Sequence, residues 1–190
     1  MSNLAEVSWR PPPITTERLI LRGYEPSDAD GIFGYASDPE VTPFMAWPRH
    51  RSIDDAHSFL DGWVAPNYGQ EGLDYAIALR EQPDVIIGGT GAYWRPLSHH
   101  VMEIGYILAR PHWGKGYMPE AGRALIRRVF ETTTAMRIFA PIFAPNSKSR
   151  RAAEKMGLKF EGILRGAVEY HGKRWDEAMY AVVREDLAGV

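Results

Sequence analysis

The sequence predicts an α/β (α+β) fold, with about four helices flanking a mixed, mostly antiparallel sheet of about seven strands. Three observations carry this expectation. Short runs with strand-like apolar patterning are interleaved with longer runs of helical period. Turn residues join neighbouring strand-like runs, as antiparallel hairpins require. Between them, Glu103-Ile-Gly-Tyr-Ile-Leu-Ala109 reads as a strand that leads through a glycine-bearing turn into a helix.

Taken in order, residues 1–13 end in Arg10-Pro-Pro-Pro13 and read as a stiff polyproline arm. Arg18-Leu-Ile-Leu-Arg22 alternates as a half-buried strand. Ser27 is placed to cap a helix through about Ser37, with Asp28 and Asp30 in its first turn. Pro39 to Arg51 holds three prolines and reads as a loop. Ser52 caps the next helix, in which Ala56, Phe59, Leu60 and Trp63 follow helical spacing. Strands are predicted at Tyr75–Leu79, Val85–Trp94 and His100–Ala109, with turns at Pro83–Asp84 and Pro96–His99. A helix beginning at Pro119 and running to Glu131 buries Ala121, Leu125, Ile126, Val129 and Phe130. Met136–Phe143 reads as a buried strand. Asn146 and Ser147 open a basic helix that Gly157 ends. Strands over roughly 160–170 and 174–183 close the chain around His171-Gly172-Lys173. Without a linker, repeat or low-complexity segment, residues 15–190 are expected to form one domain behind an arm of residues 1–14.

The totals exclude several classes. A chain of 190 residues is long enough for one sizeable core. A net charge of -2 supplies no global positive field for nucleic acid or anionic membrane. Cysteine is absent, which removes disulfides, thiolate metal sites and a cysteine nucleophile. The six histidines show no His-Glu-x-x-His spacing, so no metal is expected. There is no signal-like segment or long apolar run, and a cytoplasmic location is the expectation. Six Trp and nine Tyr suit either a ligand-lined cleft or an aromatic core.

The most informative run is Arg110-Pro-His-Trp-Gly-Lys-Gly-Tyr-Met-Pro-Glu-Ala-Gly-Arg-Ala-Leu-Ile126, in which Gly114 and Gly116 precede a helix start. Glycines leave peptide N–H groups uncovered, and the helix start adds unpaired N–H groups and a positive dipole end. Such a corner suits a phosphate or pyrophosphate. The spacing Gly114-Lys115-Gly116 lacks the Gly-x4-Gly-Lys-Ser/Thr of nucleotide-hydrolysing loops. A dinucleotide motif finds Pro119 where its third glycine belongs. Gly88-Gly-Thr-Gly91 matches neither pattern.

With these residues in view, the chain resembles the GNAT superfamily of acyl-coenzyme-A-dependent N-acyltransferases. In that family's Gln/Arg-x-x-Gly-x-Gly/Ala loop, Trp113 takes the first place, Gly116 the second and Met118 the third. The departures at Trp113 and Met118 fit the Trp-Gly-Lys-Gly-Tyr-x-x-Glu-Ala variant of its RimJ/RimL-like branch, named for ribosomal-protein N-terminal acetyltransferases. Thr16-Glu-Arg-Leu-Ile-Leu-Arg22, Glu103-Ile-Gly-Tyr106, Asn146-x-x-Ser149, Glu154-Lys-Met-Gly157 and the closing Asp176–Asp186 strand follow in the family's order.

The resemblance implies a GNAT-like domain that binds acetyl-CoA as co-substrate and transfers its acetyl group directly to a primary amine. The implied cofactor contacts are Ile107, Leu108, Ala109, Trp113, Gly114, Lys115, Gly116, Tyr117, Met118, Asn146 and Ser149. The backbone of Ile107–Ala109 would pair with the pantetheine arm, and Lys115, Arg123, Lys148, Arg150 and Arg151 offer charge to the 3′-phosphate. Asn146 reads equally as a helix cap.

Glu103 interrupts an apolar strand and is the candidate general base, partial burial favouring its protonated form; the alternative is a carboxylate paired with a nearby cation. Many relatives place a tyrosine acid where Ala153 stands; Ser149 is its substitute by resemblance, with Tyr106 the weaker alternative. Phe33, Trp47, Glu103 and Tyr170 are the candidate acceptor-side residues. A protein N-terminal amine is the leading acceptor, because at neutral pH it is neutral far more often than a lysine-like amine. Acetylation of a small amine, such as a polyamine, an aminoglycoside or an amino-acid analogue, is the alternative, and a non-catalytic coenzyme-A-binding module the third reading. A homodimer is common among the resembling proteins.

Overall fold

Apolar alternation builds the strands and helical-period apolar runs build the helices, as the sequence implies. The computed structural model describes residues 3–68, 70, 72–95, 99–170 and 172–189, the last three by backbone alone. The strands are β1 (Ile14–Thr15), β2 (Leu19–Arg22), β3 (Leu73–Leu79), β4 (Gln82–Trp94), β5 (Val101–Leu108), β6 (Arg137–Phe143), β7 (Lys159–Tyr170) and β8 (Lys173–Val183). They order as β1-β2-β3-β4-β5-β6-β8-β7 in one mixed sheet of eight strands. The eighth strand is the two-residue β1, too short to carry an alternation. The helices are α1 (Ala29–Ala36), α2 (Ile53–Phe59), α3 (Ala65–Tyr68), α4 (Tyr117–Thr132) and α5 (Ser147–Met156). A π-helical turn, Leu60–Val64, joins α2 to α3 into one run, so these five helices make four runs among the described residues. By their packing the residues form two units, Met1–Ala92 with Tyr106–Leu125 and Tyr93–Gly105 with Ile126–Val190; β4, β5 and α4 each run from one into the other.

In the first unit, β2 pairs antiparallel with β1 and β3, and β3 with β4. Leu73–Ala78 is buried throughout, the pattern of a strand covered on both faces. Leu4, Ile32, Tyr35, Leu60, Val64 and Tyr68 form the core on which Phe33, Trp47, Ile107 and Ala109 pack. The arm is not the bare spacer that Arg10-Pro-Pro-Pro13 suggested. Leu4–Glu6 is a helical turn whose Leu4 is fully buried, and Arg10 donates to the carbonyls of Leu4 (2.7 Å), Val7 (2.5 Å) and Trp9 (3.0 Å). One guanidinium thus satisfies the Val7 and Trp9 carbonyls and adds to the bond that Leu4 O already receives from Val7 N–H (3.3 Å).

Four further expectations are corrected here. The cap before α1 is not Ser27: Glu25 and Asp28 form a reciprocal capping box, with buried Asp28 also ion-paired to Arg22 at 2.8 Å. Trp63 is 49% exposed, because the π-helical turn advances the helix by one residue and gives the core-facing place to Val64. The turn before β4 falls at Arg80–Glu81, since Leu79 pairs with Gln82, and exposed Pro83 and Asp84 lie within the strand. Helix α4 begins two residues earlier than Pro119, which sits in the first turn where its missing N–H has no helical acceptor. Ser52 with Asp55, Asn146 with Ser149 and the left-handed Gly157 (φ 101°) do cap their helices.

In the second unit, β6 pairs parallel with β5 and antiparallel with β8, which pairs antiparallel with β7. In α4, Ala121, Leu125, Ile126, Val129 and Phe130 are all buried. The last turn of α4 is closed by Arg184, which donates to the carbonyls of Phe130 (2.5 Å), Thr133 (2.8 Å) and Ala135 (2.6 and 3.0 Å). A cation at a helix C-terminus both satisfies orphan carbonyls and meets the negative dipole end. The turn at Pro96–His99 falls outside the described residues except for His99, and His171 of the closing turn falls outside them too.

Candidate functional site

The strongest geometry is in the first unit, where β5 ends. Arg110–His112 forms a single helical turn, and then Gly114 (φ 75°) and Gly116 (φ 81°) adopt left-handed conformations on either side of Lys115. Alternation of this kind turns successive N–H groups toward one side, making a concavity for an anion. The first helical hydrogen bond of α4 runs from Glu120 N–H to Gly116 O (3.1 Å), so the amides of Tyr117 and Met118 have no acceptor within the helix. A Cβ built on Gly114 would meet nothing within 4 Å, so its surroundings are open to a ligand. Met118 is buried and can contribute only its backbone. These residues fit a diphosphate: loop amides and the helix dipole end meet at one corner, and Lys115 between the two glycines is exposed.

The loop is held by contacts the sequence reading did not assign. Glu120 accepts through Oε1 from Thr16 Oγ1 (2.6 Å) and Arg18 N–H (2.9 Å), and through Oε2 from Arg18 Nε (2.7 Å). Arg18 Nη1 then donates to Lys115 O (2.9 Å), and its guanidinium lies over the Tyr117 ring at 4.7 Å. Burial works against the Glu120 charge, yet the bonds from Thr16 and Arg18 outweigh it and hold the carboxyl below its ordinary value. The signal was present as Thr16-x-Arg18 and the Glu of Gly-Tyr-x-x-Glu-Ala. Arg110 also pairs with Asp38 at 3.0 Å. Burial lowers the His112 imidazole, with Lys115 adding to the effect, and both favour its neutral form. Beside Tyr117, an open cavity of 440 Å³ is lined by Glu17, Arg18, Leu79, Arg80 and Glu81.

Backbone directions at the end of β5 are specific. Ala109 N–H donates to Ile87 O (2.8 Å), so Ala109, and by alternation Ile107, direct their backbone groups toward β4. Leu108 therefore directs its groups the other way, and Trp113 Nε1 donates to its carbonyl at 2.7 Å. Phe33 and Trp47 pack on the same core as Ile107 and Ala109.

The second unit holds the remaining candidates. Glu103 lies on β5, four residues before Ile107 on the same strand, and its ladder with β6 ends at the pair Glu103–Phe139. Arg95 donates to Glu103 through both Nε (2.7 Å) and Nη2, and both bonds use Oε2. The paired-carboxylate alternative therefore holds for one oxygen and leaves Oε1 outside that pair. Asn146 Oδ1 accepts from Ser149 N–H at 3.1 Å, which is the cap reading. Arg150 is not a free phosphate ligand: its Nε donates to Tyr180 Oη (3.1 Å), whose hydroxyl donates to Glu154 (2.9 Å). Ala153 is fully buried. The ring of Tyr170 lies 6.0 Å from Phe143, which Trp175 meets edge-on at 5.7 Å. One residue beside them was missed: Glu177, half-buried on β8, whose carboxyl is raised by burial and by the charge of Glu103. In sequence it follows Asp176 within a strand and carries no motif of its own.

The profile of the acetyltransferase (GNAT) domain matches residues 18–159, most of the chain. The chain belongs to this family. It is accordingly an acetyl-CoA-dependent N-acetyltransferase, and the GNAT relatives agree. The uncharacterized N-acetyltransferase YoaA of Bacillus subtilis is 31% identical over 173 residues, which cover 91% of this chain and 97% of that protein. The ribosomal-protein-uS5-alanine N-acetyltransferase of Escherichia coli is 26% identical over 180 residues, covering 91% of each. A crystal structure of a GNAT-family acetyltransferase from Bacillus anthracis superposes with a TM-score of 0.81 at 25% identity, covering 92% of this chain and 99% of that one. Among the described residues no helix is long and apolar enough to cross a membrane, and no cluster of His, Asp and Glu could hold a metal ion.

Proposed function

We infer that this chain moves the acetyl group of acetyl-CoA onto a protein N-terminal α-amine, by direct attack in a ternary complex. The observation that carries the reading is the pair of left-handed glycines at the start of α4, with Lys115 between them. In this reading the amides from Gly114 to Met118 hold the diphosphate and Lys115 adds charge. The backbone of β5 over Ile107–Ala109 receives the pantetheine arm, with Leu108 the residue whose N–H is directed away from β4. Asn146 and Ser149 are the coenzyme residues assigned in the second unit, and Ser149 stands as proton donor to the departing thiolate. Glu103 Oε1 is the atom that takes the amine proton, while Arg95 fixes the other oxygen. Phe33, Trp47 and Tyr170 serve the acceptor.

The choice of an α-amine rests on the similarity to the uS5-alanine enzyme and on proton energetics. An amine near pKa 8 is neutral at pH 7 more readily than one near 10.4, a difference of about 3 kcal/mol. A small aromatic amine is the second reading, favoured by the rings of Tyr170 and Trp175, which buried Phe143 backs and on which a flat group could rest.

Calorimetric titration with acetyl-CoA tests the site. Gly116→Asp places a carboxylate among the phosphates at φ 81°, with its Cβ 3.3 Å from Arg18 Nη2. Affinity should fall at least about 100-fold, or about 2.7 kcal/mol. Unchanged affinity means the diphosphate binds elsewhere. Thiol release with an N-acceptor panel of an alanyl peptide, spermidine and an aminoglycoside then ranks the acceptors; no turnover of the peptide refutes the α-amine assignment.

A further inference from the structure

The strand registers around β6 and β8 place a second carboxylate on the face that carries Glu103. Residues directly opposite one another on neighbouring strands project to the same side of a sheet. Glu103 is opposite Phe139, Phe139 is opposite Ala181, and Phe143 is opposite Glu177. Positions two apart on a strand share a face, so Phe139, Pro141 and Phe143 lie on one side of β6, and Trp175, Glu177 and Met179 on the same side of β8. The ring contact between Phe143 and Trp175 agrees with this placement. Glu177 sits on an interior strand, with Phe143 on one flank and Leu164 on the other. Among the described residues its carboxylate has no hydrogen bond and no ion pair, and the charged group that reaches it is Glu103, itself bonded to Arg95. A half-buried carboxylate held between apolar flanks, with only another carboxylate for company, is costly to keep and has the character of a functional group.

We propose that Glu177 is a second acid–base group of the acceptor site, acting with Glu103 on a cationic primary amine whose apolar part rests on Tyr170 and Trp175, the two rings that buried Phe143 backs. This rests on the amine-acetyltransferase reading above and assigns the acceptor end of it. The substrate ammonium gives one proton to the Glu177 carboxylate. The neutral nitrogen then forms its bond to the acetyl carbon, the carbon–sulfur bond breaks, and the electron pair leaves on the coenzyme-A thiolate. The second nitrogen proton passes to Glu103 Oε1, the thiolate takes a proton from Ser149 whose hydroxyl Glu103 then restores, and Glu177 returns its proton to solvent. Lys173 Nζ lies 4.1 Å over the Trp175 ring, at the apolar end, whereas at the amine itself two carboxylates face the one guanidinium of Arg95 and select against a carboxylate on the neighbouring carbon. Free amino acids are therefore poor acceptors, whereas peptide N-termini and simple amines are accepted.

The test measures thiol release by wild type and Glu177→Gln with an alanyl peptide amide, phenethylamine and L-phenylalanine, across pH 5.5–9. Acetyl-CoA titration and thermal melting run alongside. Glu177→Gln should lower kcat about 30- to 100-fold at pH 7, within the range of general-base contributions, and remove the acid limb of the profile. Acetyl-CoA affinity should stay within about two-fold, as a residue at the acceptor end requires; a larger loss would place Glu177 in the cofactor site and overturn the proposal. The raised carboxyl costs stability once ionised above its folded value, so at pH 7 the variant should melt no lower than wild type. Glu177→Asp, which keeps the charge, should retain about a tenth of wild-type kcat and serves if the glutamine variant unfolds. An unchanged kcat and profile in Glu177→Gln, or equal use of L-phenylalanine and phenethylamine, overturns the proposal. Wild type that binds acetyl-CoA but acetylates none of the three amines overturns the acceptor class alone, whereas wild type that fails to bind acetyl-CoA overturns the parent reading.

Discussion

Removing the Glu120 carboxylate is the sharpest probe of how the phosphate corner is held. The side chain is 13% exposed and meets Thr16 Oγ1, Arg18 N–H and the Arg18 guanidinium. Hydrogen bonds to a charged group contribute about 1.5–3 kcal/mol each when buried. The guanidinium is 43% exposed, so its ion pair is screened and counts for about 1 kcal/mol or less. The Thr16 hydroxyl already approaches Leu19 O at 3.3 Å and recovers part of its bonding there. Glu120→Ala should therefore cost about 3 kcal/mol, and Glu120→Gln, which keeps an acceptor oxygen, about half of that.

For a domain of this size the melting temperature falls by about 2–4 °C per kcal/mol, so the alanine variant should melt about 6–12 °C lower. The carboxyl is held below its unfolded value, so its stabilisation is complete above that value, near 4.3, and fades as pH falls through the folded one. The gap between wild type and variant should thus close in acid. Arg18, freed from Glu120, also loosens its hold on Lys115 O, and acetyl-CoA binding should weaken by about ten-fold, or 1.4 kcal/mol. Melting curves at pH 7 and pH 3 with calorimetric titration decide the matter. A shift under about 2 °C at pH 7 with unchanged affinity would refute the assignment of Glu120 as the clasp.

Two further outcomes follow from the second unit. Arg184→Ala leaves the carbonyls of Phe130, Thr133 and Ala135 without their donor and should cost about 3 kcal/mol, read as a lower chemical-denaturation midpoint; a change under about 0.5 kcal/mol contradicts the capping role. Ala153→Tyr should not supply the missing acid, because the position is fully buried; overpacking should cost about 1–3 kcal/mol, and a gain in kcat would show the site to be open.

Most of the fold was legible because its elements carry local signals. The buried stripe of α4, the Ser52 and Asn146 caps and the Gly157 stop are each written within one turn of helix. What failed depended on distant or cumulative geometry. No local rule says that the helix after Ser52 takes a π-helical turn, so Trp63 and Val64 exchanged places. Nor does Arg10-Pro-Pro-Pro13 reveal that Arg10 will find three carbonyls of its own arm. The left-handed turn at Gly114 and Gly116 and the helix start that follows it were legible because backbone conformation is encoded by glycine and by helix starts. Glu120 was visible as a letter in a motif but not as a clasp, since its partners Thr16 and Arg18 lie about a hundred residues away. Glu177 was invisible, because its meaning comes from strand register and not from its neighbours in sequence.

The two carboxylates pose a conflict that bears on how the amine is made reactive. Negative charge near an ammonium strengthens its binding but also opposes the loss of its proton. Glu103 alone, with Arg95 on one oxygen, leaves a nearly balanced pair of charges and little affinity for a cation. Adding Glu177 tips the balance toward binding an ammonium. Deprotonation still requires an acceptor whose protonated form is favoured, and Glu177 meets that condition, since burial and the charge of Glu103 both raise it. Moving the proton onto Glu177 also relieves the repulsion between the carboxylates, so the step that frees the amine is the step that discharges the site. Binding and activation thus draw on one interaction in opposite protonation states, which a single carboxylate paired with arginine could not provide.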